Sequence, residues 1–213
     1  MKKNDVLIGL ALLIAIGMLF YINLQRKEKE VKLPQEIEKL EARKPERAGV
    51  PGIRDELIAK LKDPSPEVRG NAALALGRKG DKSAVPALVD RLKDTDTIVQ
   101  EKVIYALADI GDKSAVPGLV EAMYDRNVDV REDAGIAVRI IGDKSAVPVL
   151  IRALKDKDSS IRENAAFVLE GLGDKTAIPA LTEALEDENM YVRKAARSAI
   201  AAIELRESKG ERK

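Results

Sequence analysis

Glu101, Glu132 and Glu163 recur at a spacing of 31 residues, and Asp133 follows the second of them directly. Aligned carboxylates are the equipment of cation binding or of paired acid and base work. Arg69, Arg131, Arg162 and Arg193 lie on the same 31-residue grid, broken only where Gln100 takes the second place. A column of guanidinium groups suits phosphates or carboxylates. The run Gly80-Asp81-Lys82-Ser83 looks superficially like a phosphate loop, but it lacks the G-x-x-x-x-G-K-[ST] spacing and has no strand before it. The chain contains no His and no Cys, so the commonest general base, the thiolate nucleophile and the usual zinc ligands are all missing. Neighbouring helices stand about 8 to 10 Å apart, too far for carboxylates one repeat apart to share a metal without other donors. The expectation is therefore a solvated acidic face with no metal and no cofactor, and no catalytic residue.

The grid comes from a repeat. Gly80 to Pro86 returns as Gly111 to Pro117, as Gly142 to Pro148 and, with Thr176 and Ile178, as Gly173 to Pro179. A period of 31 residues means a solenoid, in which each unit buries its apolar face against the next. Five units follow, 49–79, 80–110, 111–141, 142–172 and 173–203. A first helix of about twelve residues carries Leu57, Leu88, Leu119, Leu150 and Leu181, with Ser83, Ser114, Ser145 or Thr176 as its expected N-cap and a proline in the first turn. After an aspartate, the preferred capping types Ser65, Asp96, Asn127, Asp158 and Asn189 open a second helix of similar length. Its buried stripe begins with Val68, Val99, Val130, Ile161 and Val192, and the next unit's glycine ends it.

The pattern G-D-x-x-A-V-P-x-L-x-x-x-L-x-D … V-R-x-x-A-x-x-x-L over residues 49–203 resembles the HEAT repeat, in the short form of phycobilisome-lyase-like proteins. The resemblance implies an all-α fold, an α-solenoid wound as a right-handed superhelix of five helix pairs. It also implies that Arg69, Arg131, Arg162 and Arg193 form an inter-repeat ladder with the turn aspartates Asp63, Asp94, Asp125, Asp156 and Asp187. The family includes bilin lyase subunits, deoxyhypusine hydroxylases, DNA-repair glycosylases and interaction scaffolds. A chain without His cannot hold iron as the hydroxylases do. Residues 49–203 carry 23 Lys/Arg against 26 Asp/Glu and the chain has no Trp, which argues against nucleic acid. The expected role is a non-catalytic scaffold for another protein; the alternative is a lyase-like or chaperone-like subunit holding a tetrapyrrole or similar ligand.

Val6 to Ile22 is an uncharged run of seventeen residues. At about 1.5 Å per residue it nearly spans a ~30 Å hydrocarbon core, and Lys3, Leu24 and Arg26 close the gap. Residues 1–25 are read as a single-pass membrane anchor, 26–48 as a charged linker and 204–213 as a charged tail. The competing reading is a signal peptide cleaved near Ala15-Ile16-Gly17, which would leave the apolar Met18-Leu19-Phe20-Tyr21-Ile22 as a new terminus. Positive charge after the span leans towards a cytoplasmic repeat domain.

On a 100° wheel with Val99 facing the core, Tyr105 falls at −120°, in an exposed arc with Ile98, Glu101 and Asp109. Its column reads Leu74, Tyr105, Ile136, Phe167, Ser198, apolar where the pattern asks for polar residues. Tyr105, Ile136, Phe167 and Tyr191, flanked by Glu101, Glu132, Asp133 and Glu163, form the expected partner-binding stripe on the concave face of the family's superhelix. The alternative is that these side chains pack sideways between adjacent second helices.

Overall fold

The computed structural model describes residues 52–210. The anchor expected over residues 1–25, its cleaved alternative and the linker at 26–48 lie outside the described residues. No helix among the described residues is long and apolar enough to cross a membrane.

Among the described residues ten α-helices follow one another in pairs: α1 (Ile53–Lys60) with α2 (Pro66–Lys79), α3 (Val85–Arg91) with α4 (Thr97–Ile110), α5 (Val116–Ala122) with α6 (Val128–Ile141), α7 (Val147–Ala153) with α8 (Ser159–Leu172), and α9 (Ile178–Glu183) with α10 (Met190–Gly210). Each even-numbered helix packs on its own partner and against the even-numbered helices of the neighbouring units. The core is the expected one except at Val68, which heads the expected stripe of the second helices but is only half-buried. Leu57, Leu88, Leu119, Leu150 and Leu181 on the first helices are fully buried, as are Ala72, Val103, Ala134, Ala165 and Ala196 on the second. Small residues set the spacing: a Cβ on Gly77 of α2 would stand 2.6 Å from Ala106 Cα on α4.

Three local expectations need correction. The first helices are six to eight residues long rather than about twelve, because in units two to five a 3-10 turn precedes the proline-bearing α-turns. That turn is capped by Asp81, Asp112, Asp143 and Asp174, not by the serines or Thr176. Each carboxylate accepts the N–H two residues on, at 2.9 Å from Ser83 and Ser114, 3.1 Å from Ser145 and 2.9 Å from Thr176. Hydrogen bonds from the Ser or Thr, with the side-chain bond the largest effect, hold these carboxyls below the usual aspartate range.

Gly80, Gly111 and Gly142 end their helices at φ of 65°, 67° and 72°, the left-handed conformation expected of them. Gly173 does not: its φ is −59° and its ψ 153°. There Arg206 takes over the end of α8, its Nη1 donating to Glu170 O at 2.6 Å and its Nη2 to Gly173 O at 2.9 Å. Arg206 reaches that position because α10 runs on to Gly210, through most of the stretch read as a charged tail. Burial lowers the Arg206 pKa.

Candidate protein-binding face

The arginine column makes two complete rungs. Arg69 donates from Nε and Nη2 to Asp94 at 2.8 and 2.7 Å, and Arg162 does the same to Asp187 at 2.6 and 2.8 Å. The acceptor belongs to the following unit in both cases. Each guanidinium also donates Nη1 to two carbonyls of its own turn, Asp63 and Pro64 for Arg69, Asp156 and Lys157 for Arg162. The Arg162 bond draws the Asp187 carboxyl below its ordinary value. Burial on its own would raise Asp94, but Arg69 and the Asp96 N–H outweigh it.

The other rungs depart from the expected ladder. Gln100 stands in for arginine, donating to Leu92 O at 2.8 Å and to Asp125 at 3.0 Å. Arg131 keeps its bonds to the Asp125 and Arg126 carbonyls, but its Nη2 donates to Ser160 Oγ at 2.7 Å instead of to Asp156, and its Nε is buried without a partner. Ser160 occupies the register held by Ile98 and Tyr191 beside the two complete rungs, so only here does a hydroxyl compete for the guanidinium. Arg193, in the last unit, bonds only the Asp187 and Glu188 carbonyls. What all five aspartates share is local: Asp63, Asp94, Asp125, Asp156 and Asp187 each accept the N–H two residues on, at 2.8 to 3.1 Å. This turn bond was missed in the sequence, although the invariant two-residue spacing to the next cap is its signal.

On the other side of the second helices, Leu74, Tyr105, Ile136 and Phe167 are all half-buried, while Ser198 and Tyr191 are exposed. The column is thus neither the open stripe of the helical wheel nor a sealed seam. A long neighbour accounts for part of the burial of Phe167. Arg139 lays its guanidinium 4.1 Å from the centre of the Phe167 ring, a cation–π contact, and donates to Phe167 O and Glu170. Lys102 crosses Gly70, where a Cβ would meet its stem at 2.6 Å, and donates to Asn71 Oδ1 at 3.2 Å. Burial lowers the Lys102 pKa, opposed by Glu67.

Of the acidic residues, Glu132 is exposed and Glu101, Asp133 and Glu163 are half-buried. Burial, then Glu132, pushes the Glu163 carboxyl up, and Lys194 draws it down. No group of carboxylates among the described residues is placed to hold a metal. Ile140, 55% exposed, extends the apolar surface and was not singled out in the sequence, where its register is shared with the charged Asp109.

The HEAT-repeat model matches residues 54–139 and again 125–201. The chain belongs to the HEAT-repeat family. No curated protein matches it. Among solved structures, it is similar to a designed armadillo-repeat protein in complex with a (KR)4 peptide, at 19% identity and a TM-score of 0.51, covering 81% of this chain and 99% of that one. The complex of CpcE and CpcF of phycocyanin lyase from Nostoc sp. PCC7120 aligns at 27% identity and a TM-score of 0.45, over 68% of this chain and 62% of that one. An engineered protein aligns at 26% identity and a TM-score of 0.46, over 70% and 78%. The armadillo likeness bears on the solenoid fold alone. The hollow between α1 and α3, lined by Ile58, Leu61, Ala87 and Arg91, holds about 90 Å³.

Proposed function

We propose that this HEAT-repeat protein is a non-catalytic scaffold that binds another protein through the face of α2, α4, α6, α8 and α10, concave in the right-handed superhelix its family forms. One observation carries the reading: in four successive repeats a large apolar side chain, Leu74, Tyr105, Ile136 or Phe167, stays half-exposed, and the last three follow Glu101, Glu132 and Glu163 by one helical turn. A monomeric solenoid gains nothing from leaving such surface wet, and partly exposed aromatic and aliphatic anchors are what interfaces use. Residues 6–22 attach the scaffold to a membrane as a single-pass helix, with the repeats on the cytoplasmic side.

A photo-crosslinker placed at position 136 in cells should give an adduct with one protein, absent when the crosslinker sits at the exposed Lys93 in the turn after α3. Phe167→Ala should abolish that adduct while costing stability only about 1 to 2 kcal/mol, as suits a half-buried ring. Equal adducts from both positions, or a loss above about 3 kcal/mol, overturn the binding role. Carbonate washing should leave the full chain with the membrane, and Lys209→Cys should resist an impermeant thiol reagent in intact cells. Release on washing refutes the anchor, and labelling refutes the orientation.

A further inference from the structure

Charged side chains on the binding face divide into two groups. Lys102 is held to the Asn71 amide oxygen, and Arg139 to Phe167 and Glu170, so these cations already have partners within the protein. Glu132, Glu163 and Lys194 differ. They share one register on α6, α8 and α10, and none of the three makes a side-chain hydrogen bond or an ion pair among the described residues. Glu163 is half-buried between two exposed ends, Glu132 and Lys194. Burial, then Glu132, raises its proton affinity, and Lys194 lowers it. One helical turn further along the same helices stand Ile136, Phe167 and Ser198. The apolar column therefore stops in the repeat where the sign of the charge reverses.

Resting on the scaffold reading above, we propose that α6, α8 and α10 take a segment of a partner protein that carries two cations and then one anion at the pitch of the repeats. The cations meet Glu132 and Glu163, the anion meets Lys194, and an apolar side chain beside each cation meets Ile136 and Phe167. Neighbouring helices are about 8 to 10 Å apart. Three residues of extended chain cover about 10 Å, and seven residues of helix about 10.5 Å. The occupant's charges therefore recur at intervals of about three or about seven residues. The order of charges matters more than their sum, since like charges set opposite one another are penalised and fix the register of the complex.

The test uses the full-length protein in mild detergent and fluorescein-labelled synthetic peptides, read by anisotropy. One peptide presents Lys, Lys, Glu in that order, with Leu beside each Lys, at three-residue intervals; a second does so at seven-residue intervals. Their controls have the same composition in the order Lys, Glu, Lys, which fits the row in neither chain direction. The matched order, at one of the two spacings, should bind at least about tenfold more tightly than its control. Lys194→Glu should erase that preference and favour a peptide with Lys at all three positions. Equal binding of the two orders, a preference that survives Lys194→Glu, or no binding at either spacing overturns the proposal. Binding that needs Phe167 but ignores charge order rejects this inference and leaves the scaffold role standing.

Discussion

Arg162 provides the sharpest test of what holds one HEAT repeat to the next. Arg162→Ala removes two bonds to the Asp187 carboxylate, at 2.6 and 2.8 Å, and two to turn carbonyls, at 2.8 and 3.2 Å. It leaves Asp187, whose side chain is 10% exposed, without its counter-charge. Breaking a buried pair costs about 3 to 5 kcal/mol, and the residual exposure of both partners puts this pair at the lower end, about 3 kcal/mol. For a chain of this size that is a fall of roughly 6 to 12 °C in Tm. Arg162→Gln should cost about half as much, because Gln100 shows that an amide at this register can bridge two neighbouring repeats, at 2.8 and 3.0 Å. Arg131→Ala, which loses no carboxylate partner, should cost about 1 to 2 kcal/mol. Urea unfolding of the full-length protein, with a double-mutant cycle through Asp187→Asn, measures all of these. If Arg162→Ala costs no more than Arg131→Ala, or the cycle shows no coupling, the rung does not join the repeats.

Three further outcomes follow from the geometry. Asp94 and Asp187, along with the capping Asp81, Asp112, Asp143 and Asp174, have carboxyls held below their usual range; their contribution is complete above about pH 4 and is lost as pH falls through the folded values. Helicity followed by circular dichroism should therefore collapse below about pH 4, and a profile flat to pH 2 would refute this. Gly77→Ala should destabilise by about 1 to 3 kcal/mol, since its Cβ meets Ala106 backbone at 2.6 Å, whereas Gly70→Ala meets only the movable Lys102 stem; equal effects would show that the helix spacing is not fixed at Gly77. Arg206→Ala should cost about 1 to 2 kcal/mol and speed amide exchange at the end of α8, and no change there would mean that its carbonyls are satisfied without it.

Much of this fold was legible because a solenoid shows each residue the same surroundings at every repeat. The 31-residue glycines, the leucine and alanine columns and the N-caps of the second helices could be placed with no three-dimensional information. What escaped were features decided by competition between near-equivalent groups. Asp81 and Ser83 are both good caps two residues apart, and only the tight 3-10 geometry selects the carboxylate. Gly173 has the sequence of a left-handed cap, but Arg206, 33 residues on, satisfies the carbonyls instead. On the proposed binding face, a helical wheel gives direction but not reach. Tyr105 and Phe167 are half-buried rather than open, and Phe167 is covered by Arg139 from the preceding repeat, which a single-helix projection cannot include.

The departure at Arg131 can be reversed on paper, which makes it testable. Its guanidinium already occupies the ladder position, anchored to the Asp125 and Arg126 carbonyls, and lacks only a partner for Nε. Asp156 lies at the register where Asp94 and Asp187 receive Arg69 and Arg162, with its carboxylate bonded to the Asp158 N–H alone. The Ser160 hydroxyl, at 2.7 Å, is what diverts the guanidinium. Ser160→Ala removes a neutral acceptor and opens a charged one, so the loss of one bond of about 1 kcal/mol should be offset by a bond of about 1.5 to 3 kcal/mol. Stability should stay level or rise, and Asp156→Asn, of little consequence in the native chain, should become costly in the Ser160→Ala background. A Ser160→Ala protein that is less stable by more than about 1 kcal/mol, with no new dependence on Asp156, would show that Arg131 is set by its own helix and not by competition between acceptors.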